Sequence, residues 1–420
     1  MIRSAATSLR QSASGRHFIT GLGIGQITSW GTLYYSFPLI GEAMGRDLGW
    51  SKAEVFLAAT IGLLLAAPAA YPIGVWIDRG HGRTIMAGAS VLAAAALLGW
   101  SQVSELWLFY ALVGVLGVLQ AAVLYEPAFA VVARRVGATQ ARNGITTLTF
   151  WGGFASTVFI PVVQILLDHL GWRGTLMALA AINLGIAALY ALVIDRERDA
   201  AEQDSAREAV ARRPSPEAGA LPARPLRDAM RRPVFWLLGL AFTAYAATFS
   251  AFTFHLYPLL LEKGLTAAEV VTAMMMIGPA QVAGRLFIWR LAAGASVARI
   301  GCLVIPAFPL TLAGFELLPV TLAVALALVA LYGLANGIMT IVRGMAVPEM
   351  LSREGYGALN GALALPGTLA KAMAPGAAAL LWQASGSYDA VLGAAILGAA
   401  ILVVSFWLAA AVCQREGRPG

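Results

Sequence analysis

Lysine is almost missing from this chain: Lys52, Lys263 and Lys371 are its only three in 420 residues. Charge of every kind is scarce. Only 12% of the residues are Asp, Glu, Lys or Arg, against about 25% in a soluble domain. The two cysteines, Cys302 and Cys413, lie far apart, which excludes a disulfide framework and a cysteine metal cluster. The four histidines, His17, His81, His169 and His255, form no HExxH pattern and no His-Cys group, so neither a metalloprotease centre nor any other metal site is expected. No GxxxxGK[ST] loop occurs, which argues against ATP as an energy source. With no catalytic set and no cofactor motif, the chain reads as something other than an enzyme, with no cofactor. What remains is apolar: 59% of residues are hydrophobic and the mean hydropathy is +0.75. That composition is expected of an all-α integral membrane protein whose first partner is the lipid bilayer.

A spanning helix takes about 20 mostly apolar residues. Runs of that kind predict twelve spans, near 18–40, 54–77, 84–103, 106–133, 143–166, 174–194, 234–261, 269–292, 298–316, 319–342, 358–382 and 388–412. The polar, basic residues 1–16 precede a run too long for a signal-peptide core, so it reads as an uncleaved first span. With the N-terminus inside, 23 of the 29 Lys and Arg residues fall on the cytoplasmic side and only Arg46, Lys52, Arg173 and Lys263 outside. The positive-inside rule then places both termini in the cytoplasm and makes the chain multi-pass in a cell membrane, a bacterial inner membrane in the fullest version of the reading. It also explains the +7 net charge without nucleic acid, for which no aromatic-interleaved basic patch exists.

The polar stretch 195–232 divides the chain into a six-span half over 1–194, a cytoplasmic linker, and a second half over 233–420. The halves repeat. GWSKAEV at 49–55 answers GLTAAEV at 264–270. Asn143-Gly144 answers Asn360-Gly361, and Pro161 answers Pro375, at offsets of 215, 217 and 214 residues. Duplicated six-helix units with a site between them are the architecture of many transporters.

Between the second and third spans stands GVWIDRGHGR, 74–83. It is similar to the signature loop of the major facilitator superfamily in Gly74, Asp78, Arg79, Gly82 and Arg83. Asp78 could cap a helix dipole and pair with arginines, and the glycines let helix ends approach. The resemblance implies the major facilitator fold and a cytoplasmic gate; the alternative is a charged tight turn. The matching loop of the second half, RLAAGAS, lacks the acid.

Two cations fall inside spans. Lys371 is the one charge in ALALPGTLAKAMAPGAAAL, 362–380, and Arg285 lies in VAGRLFIWR. A lysine at a span centre costs roughly 2.5–3.5 kcal/mol on insertion scales. A substrate anion could offset that cost; so could backbone carbonyls, polar neighbours or Glu126. An arginine in the eighth span and a lysine in the eleventh resemble the oxalate/formate antiporter family. That resemblance implies a small dicarboxylate held at both ends and boxed by aromatics, here Tyr34, Tyr35, Tyr125, Phe150, Trp151 and Tyr332. Each of these rings could equally be packing or an interface anchor. Monocarboxylate transporters also resemble the chain in the eighth-span arginine. They carry a proton-coupling aspartate one turn earlier, where this chain has Gln281.

Glu126, in LYEPAF, is the one carboxylate clearly within a span. It reads as a proton carrier or as a gate partner of Arg343, on the expectation that it is buried. His255 reads as a packed histidine. Together these readings predict a secondary transporter for a small organic anion, a mono- or dicarboxylate, working as a monomer by antiport or by symport with protons. A drug or zwitterion exporter is the rival in class, and a non-transporting membrane sensor the rival outside it.

Overall fold

The computed structural model of the protein describes residues 17–195, 225–291, 295–351 and 356–416, and every regular element among them is helical. Twelve spans follow one another. The first six are α1 over 17–48, α2 (Lys52–Trp76), α3 (Gly82–Trp100), α4 (Leu106–Arg135), α5 over 147–170 and α6 over 172–193. The other six are α7 (Pro233–Glu262), α8 (Ala267–Ile288), α9 (Val297–Leu317), α10 (Leu322–Leu351), α11 (Tyr356–Ser385) and α12 (Tyr388–Arg415). Among the described residues nine continuous stretches are long and apolar enough to cross a membrane. One of them, Thr147–Val193, is α5 and α6 joined through Gly171 at φ +65°. In lipid only structures that satisfy their own backbone survive, and a helix does so within one segment. Leucines standing more than half exposed on the spans, such as Leu92, Leu310, Leu365 and Leu397, would be a liability in water and are ordinary contacts in a bilayer.

Contacts divide the chain into two compact units, Met1–Gly49 with Ile61–Ala218, and Trp50–Thr60 with Gly219–Gly420. The first turns of α2, up to Thr60, thus belong to the second unit and the rest of that helix to the first. The linker expected over 195–232 falls mainly on 196–224, outside the described residues; at its end Pro225–Met230 is a short helix.

The sequence repeat has a physical meaning. The Ser51 amide and hydroxyl both reach the Glu54 carboxylate at 2.8 Å, and the Glu54 amide donates back to the Ser51 hydroxyl at 3.2 Å. At 215 residues' distance, the Thr266 amide and hydroxyl bind Glu269 at 2.9 and 2.8 Å, and the Glu269 amide returns to Thr266. Both are capping boxes, which satisfy orphan donors at a helix start. Left-handed glycines follow the same offset. Gly49 pairs with Gly264 and Gly171 with Gly386, with φ between +65° and +96°. The fifth such glycine, Gly80, lies in the 74–83 loop.

Two spans depart from the sequence reading. α1 runs on past residue 40 to Leu48, with a wide π-helical turn at Gly31–Tyr35. α4 is broken at Leu124, whose backbone is extended (φ −80°, ψ −151°). A new helical segment starts at Tyr125, so Pro127 sits in its first turn, where a missing N–H costs nothing.

Within the units the helices meet through glycines. In the second unit, a methyl group on Gly337 of α10 would come within 2.1 Å of the Gln281 carbonyl of α8, and one on Gly284 within 2.4 Å of the Leu334 carbonyl. Such backbone-to-backbone approach is how spans pack without a hydrophobic drive.

Candidate functional site

In the first unit, the rings singled out from the sequence gather around one that was not. Trp30 of α1 meets Tyr34 edge-on at 5.2 Å, Tyr35 at 6.2 Å and Tyr125 of α4 at 5.0 Å between centroids. Tyr34 and Tyr35 stand edge-on at 5.4 Å, and Tyr125 stacks on Phe129 at 5.1 Å. Offset and edge-on pairs of this kind suit the ring quadrupoles.

The backbone beneath them is irregular for identifiable reasons. A methyl group on Gly31 would lie 2.1 Å from Phe159, so only glycine fits there and Phe159 presses on the helix at that point. Ser36 donates to the Gly31 carbonyl, a step of five residues. The Gln120 side chain of α4 donates to the Leu33 carbonyl at 2.9 Å. Pro38 has no N–H, so the Tyr34 carbonyl lacks its ordinary helical donor. Single π-turns are frequent at functional sites.

The remaining first-unit candidates separate. Trp151 fills the notch at Gly23 of α1, where a methyl group would meet its ring at 2.4 Å; it is packing on that side. Phe150 is half-buried. Glu126 was expected to be buried and is instead exposed. As the second residue after the Leu124 break it lies in a helix's first turn, where a carboxylate suits the dipole. In the 74–83 loop, Gly82 lets α3 start close to α4: a methyl group there would be 2.7 Å from Val131. Arg79 and Arg83 are exposed, nothing lies within 4 Å of a methyl group at Gly74, and Arg134 of α4 comes near Gly80. The side chain of Asp78 lies outside the described residues.

In the second unit, Arg285 on α8 and Lys371 on α11 are both half-buried. Arg285 follows Gly284, one of the glycines at the close α8–α10 crossing. Tyr332, buried at 2% exposure, is wedged between Phe252 (4.5 Å) and Phe308 (5.3 Å). Beside it, Tyr245 of α7 donates its hydroxyl to Asn336 of α10, and the exposed Arg343 guanidinium lies 5.7 Å from the Tyr245 ring. Trp30, Tyr245 and Asn336 were not picked out from the sequence. The i, i+4 spacing of Trp30 to Tyr34 and the 215-residue spacing of Trp30 to Tyr245 were legible signals. Among the described residues no group of three His, Cys, Asp or Glu side chains could hold a metal ion.

His255 is packed on every side. Its Nε2 lies 2.9 Å from the Pro375 carbonyl, its Nδ1 2.8 Å from the Tyr388 hydroxyl, and its ring stacks on Phe56 at 4.1 Å.

Known proteins agree with this architecture. The chain is 28% identical over 186 residues to human monocarboxylate transporter 11, a match covering 43% of this chain and 37% of that protein. It is 28% identical over 178 residues to monocarboxylate transporter 13 of Rattus norvegicus, covering 42% and 39%. The matches thus span well under half of these relatives. Among solved structures, a bacterial homologue of the human lysosomal transporter Spinster superposes with a TM-score of 0.71 at 13% identity, over 97% of this chain and 99% of that one. The nucleoside transporter NupG does so with a TM-score of 0.71 at 15% identity, over 94% and 98%. At such identities the likeness speaks for the fold alone. Residues 22–375 match the profile of the Major Facilitator Superfamily, and with twelve apolar helices in the order described, this multi-pass membrane protein belongs to that superfamily.

Proposed function

We propose that the protein is a secondary transporter for a small organic anion, a mono- or dicarboxylate, moved by alternating access of its two six-helix repeats. The observation that carries this reading is the pair of half-buried cations on spans of one unit, Arg285 on α8 and Lys371 on α11. Ionisable groups at such depth are costly and mark substrate or ion paths. A planar guanidinium suits a carboxylate through two parallel hydrogen bonds, and an ammonium adds a point charge. Tyr332 of the same unit is the aromatic candidate for an apolar wall beside them, and Tyr34, Tyr35, Tyr125, Phe150 and Trp151 are the aromatic candidates of the first unit. The monocarboxylate transporters among its relatives support the carboxylate class.

Coupling is by exchange or by protons. Gln281 cannot titrate and Glu126 is exposed, so Glu126 would serve as a proton carrier only where water reaches it. The loop at 74–83 acts as the cytoplasmic gate, and the arginine-rich face is cytoplasmic by the positive-inside rule.

The test is a thermal-shift screen of small carboxylates on purified protein, since a ligand at 100 times its Kd stabilises by about 2.7 kcal/mol. The reading expects at least one carboxylate to raise the melting temperature, and Lys371→Gln to abolish the shift. Stabilisation by neutral or cationic compounds alone would favour an exporter and overturn it.

A further inference from the structure

We propose that the second unit carries a site for an anionic phospholipid where the short helix Pro225–Met230 turns into α7. Arg227 and Arg231 take the lipid phosphate, and Trp236 with Leu240 lies along the acyl chain. Neither Arg285 nor Lys371 takes part.

The local structure is built, not loose. The Arg231 amide donates to the Asp228 carbonyl at 3.3 Å and the Arg232 amide to the Ala229 carbonyl at 2.9 Å, which closes the short helix with a tight turn. The Trp236 indole, in the first turn of α7, then donates to the Met230 carbonyl at 2.8 Å, one of the carbonyls that a helix end leaves unused. The ring is therefore held at the level of the turn, although it is exposed. The short helix packs on α7 and α11 with Ala229 buried and with Arg227, Met230 and Arg231 exposed. Residues four apart share a helix face, so the two arginines stand together on the outer side. Leu240, four residues beyond Trp236, is exposed as well and continues its apolar face along α7.

Charge at the two ends of this unit decides what the site takes. At the end where α7 begins, Arg232 is paired with Glu416, and Glu349 is engaged by the Val297 amide at 3.0 Å. Arg227, Arg231, Arg290, Arg299 and Arg415 are exposed there, with no ion pair among the described residues and with Asp228 the one remaining acid among them. At the opposite end the cations are matched: Lys263 bridges Asp389 at 2.8 Å and lies 4.0 Å from Glu316, and Lys52 sits 4.3 Å over the Trp382 ring. The arginine end thus lacks counter-charge of its own. The positive-inside rule sets that end at the cytoplasmic leaflet, whose anionic lipids attract juxtamembrane arginines. A guanidinium fork matches phosphate oxygens through paired hydrogen bonds, and tryptophan is the residue of the headgroup level. A soluble anion would use the arginines but leave Met230, Trp236 and Leu240 bare. A phospholipid covers both.

The experiment is native mass spectrometry of the purified full-length protein, titrated with dioleoylphosphatidylglycerol and, as the neutral comparison, dioleoylphosphatidylcholine. Wild type should hold the anionic lipid several-fold more tightly. The double variant Arg227→Gln, Arg231→Gln should weaken it by roughly 10-fold or more, leave the neutral lipid unchanged, and melt with wild type when lipid is absent. Arg290→Gln with Arg299→Gln removes the same charge from the same end and should cost about 2-fold at most, since exposed charges beyond a Debye length are screened. Should the first double variant not fold, Arg227→Gln alone should still cost about 3-fold, against no loss for Arg299→Gln alone. Equal affinity of wild type for the two lipids overturns the proposal. So do equal losses in the two pairs of variants, which would mean diffuse charge and no site. Displacement of the lipid by glycerol 3-phosphate at the same concentration would make this a soluble-anion site and overturn it too.

Discussion

His255 lies face to face with Phe56, ring centroids 4.1 Å apart and planes 27° from parallel. The Pro375 carbonyl can only accept, so the 2.9 Å contact puts the imidazole proton on Nε2, and the Tyr388 hydroxyl donates to Nδ1 at 2.8 Å. The histidine thus ties α7 to α11 and α12, and the start of α2 to α7. A ring with both nitrogens so engaged is a joint and not a relay.

His255→Phe should therefore destabilise, by about 1–3 kcal/mol, because it strands the buried Pro375 carbonyl and Tyr388 hydroxyl. The melting temperature of the detergent-solubilised variant measures this. His255→Gln, which can still donate and accept, should recover part of the loss. A variant with a phenyl ring that melts with wild type would show that neither hydrogen bond matters.

A second prediction concerns the α8–α10 crossing. Gly337→Ala brings a methyl group to 2.1 Å from the Gln281 carbonyl, whereas Gly344→Ala, on the same helix, meets nothing within 4 Å. Backbone cannot swing aside as a side chain can, so the first should cost about 2 kcal/mol or more, in the range of overpacked cores. The second should be neutral or slightly stabilising, by better helix propensity. Melting curves of the two variants side by side decide it, and equal behaviour would refute the close approach.

The paired capping boxes give a third. Ser51→Ala and Thr266→Ala each remove the hydroxyl of an N-terminal cap, a loss of typically about 1 kcal/mol. The two should be similar in size, and the double variant close to additive, because the caps belong to different helices. Chemical denaturation in mixed micelles would report it; a difference of several-fold between them would argue that the repeats have lost their equivalence here.

What the sequence revealed and concealed follows from which forces are local. Hydropathy located the spans because a bilayer imposes length and apolarity on each segment separately. The GWSKAEV and GLTAAEV repeat was legible because a capping box is made within four residues. The turn at Gly31–Tyr35 was not, since it depends on Phe159 from α5 pressing against Gly31 and on Gln120 from α4 holding the Leu33 carbonyl. The exposure of Glu126 was missed for a related reason. A hydropathy window sees apolar neighbours, but exposure depends on the face a residue takes, and the break at Leu124 resets that face. Trp30 went unnoticed because a tryptophan in an apolar run is ordinarily packing; only its partnerless N–H among the described residues distinguishes it.

The last prediction separates charge from shape at the two cations. If Arg285 grips a carboxylate with its planar fork, Arg285→Lys keeps the charge but loses one of two parallel hydrogen bonds. Lys371→Arg keeps the charge and adds donors, so its effect is one of fit alone. A charge-assisted hydrogen bond contributes about 1.5–3 kcal/mol, so Arg285→Lys should weaken carboxylate binding by roughly 10- to 100-fold. Lys371→Arg should weaken it less, and Lys371→Gln at least as much as Arg285→Lys. The measurement is the carboxylate dissociation constant for all three, at two salt concentrations. Both cations are half-buried, and screening acts weakly on groups removed from bulk water, so the ranking should persist at the higher salt. A ranking that follows side-chain volume instead of charge and fork would mean that α8 and α11 use these residues for packing, and the anion would have to be sought elsewhere.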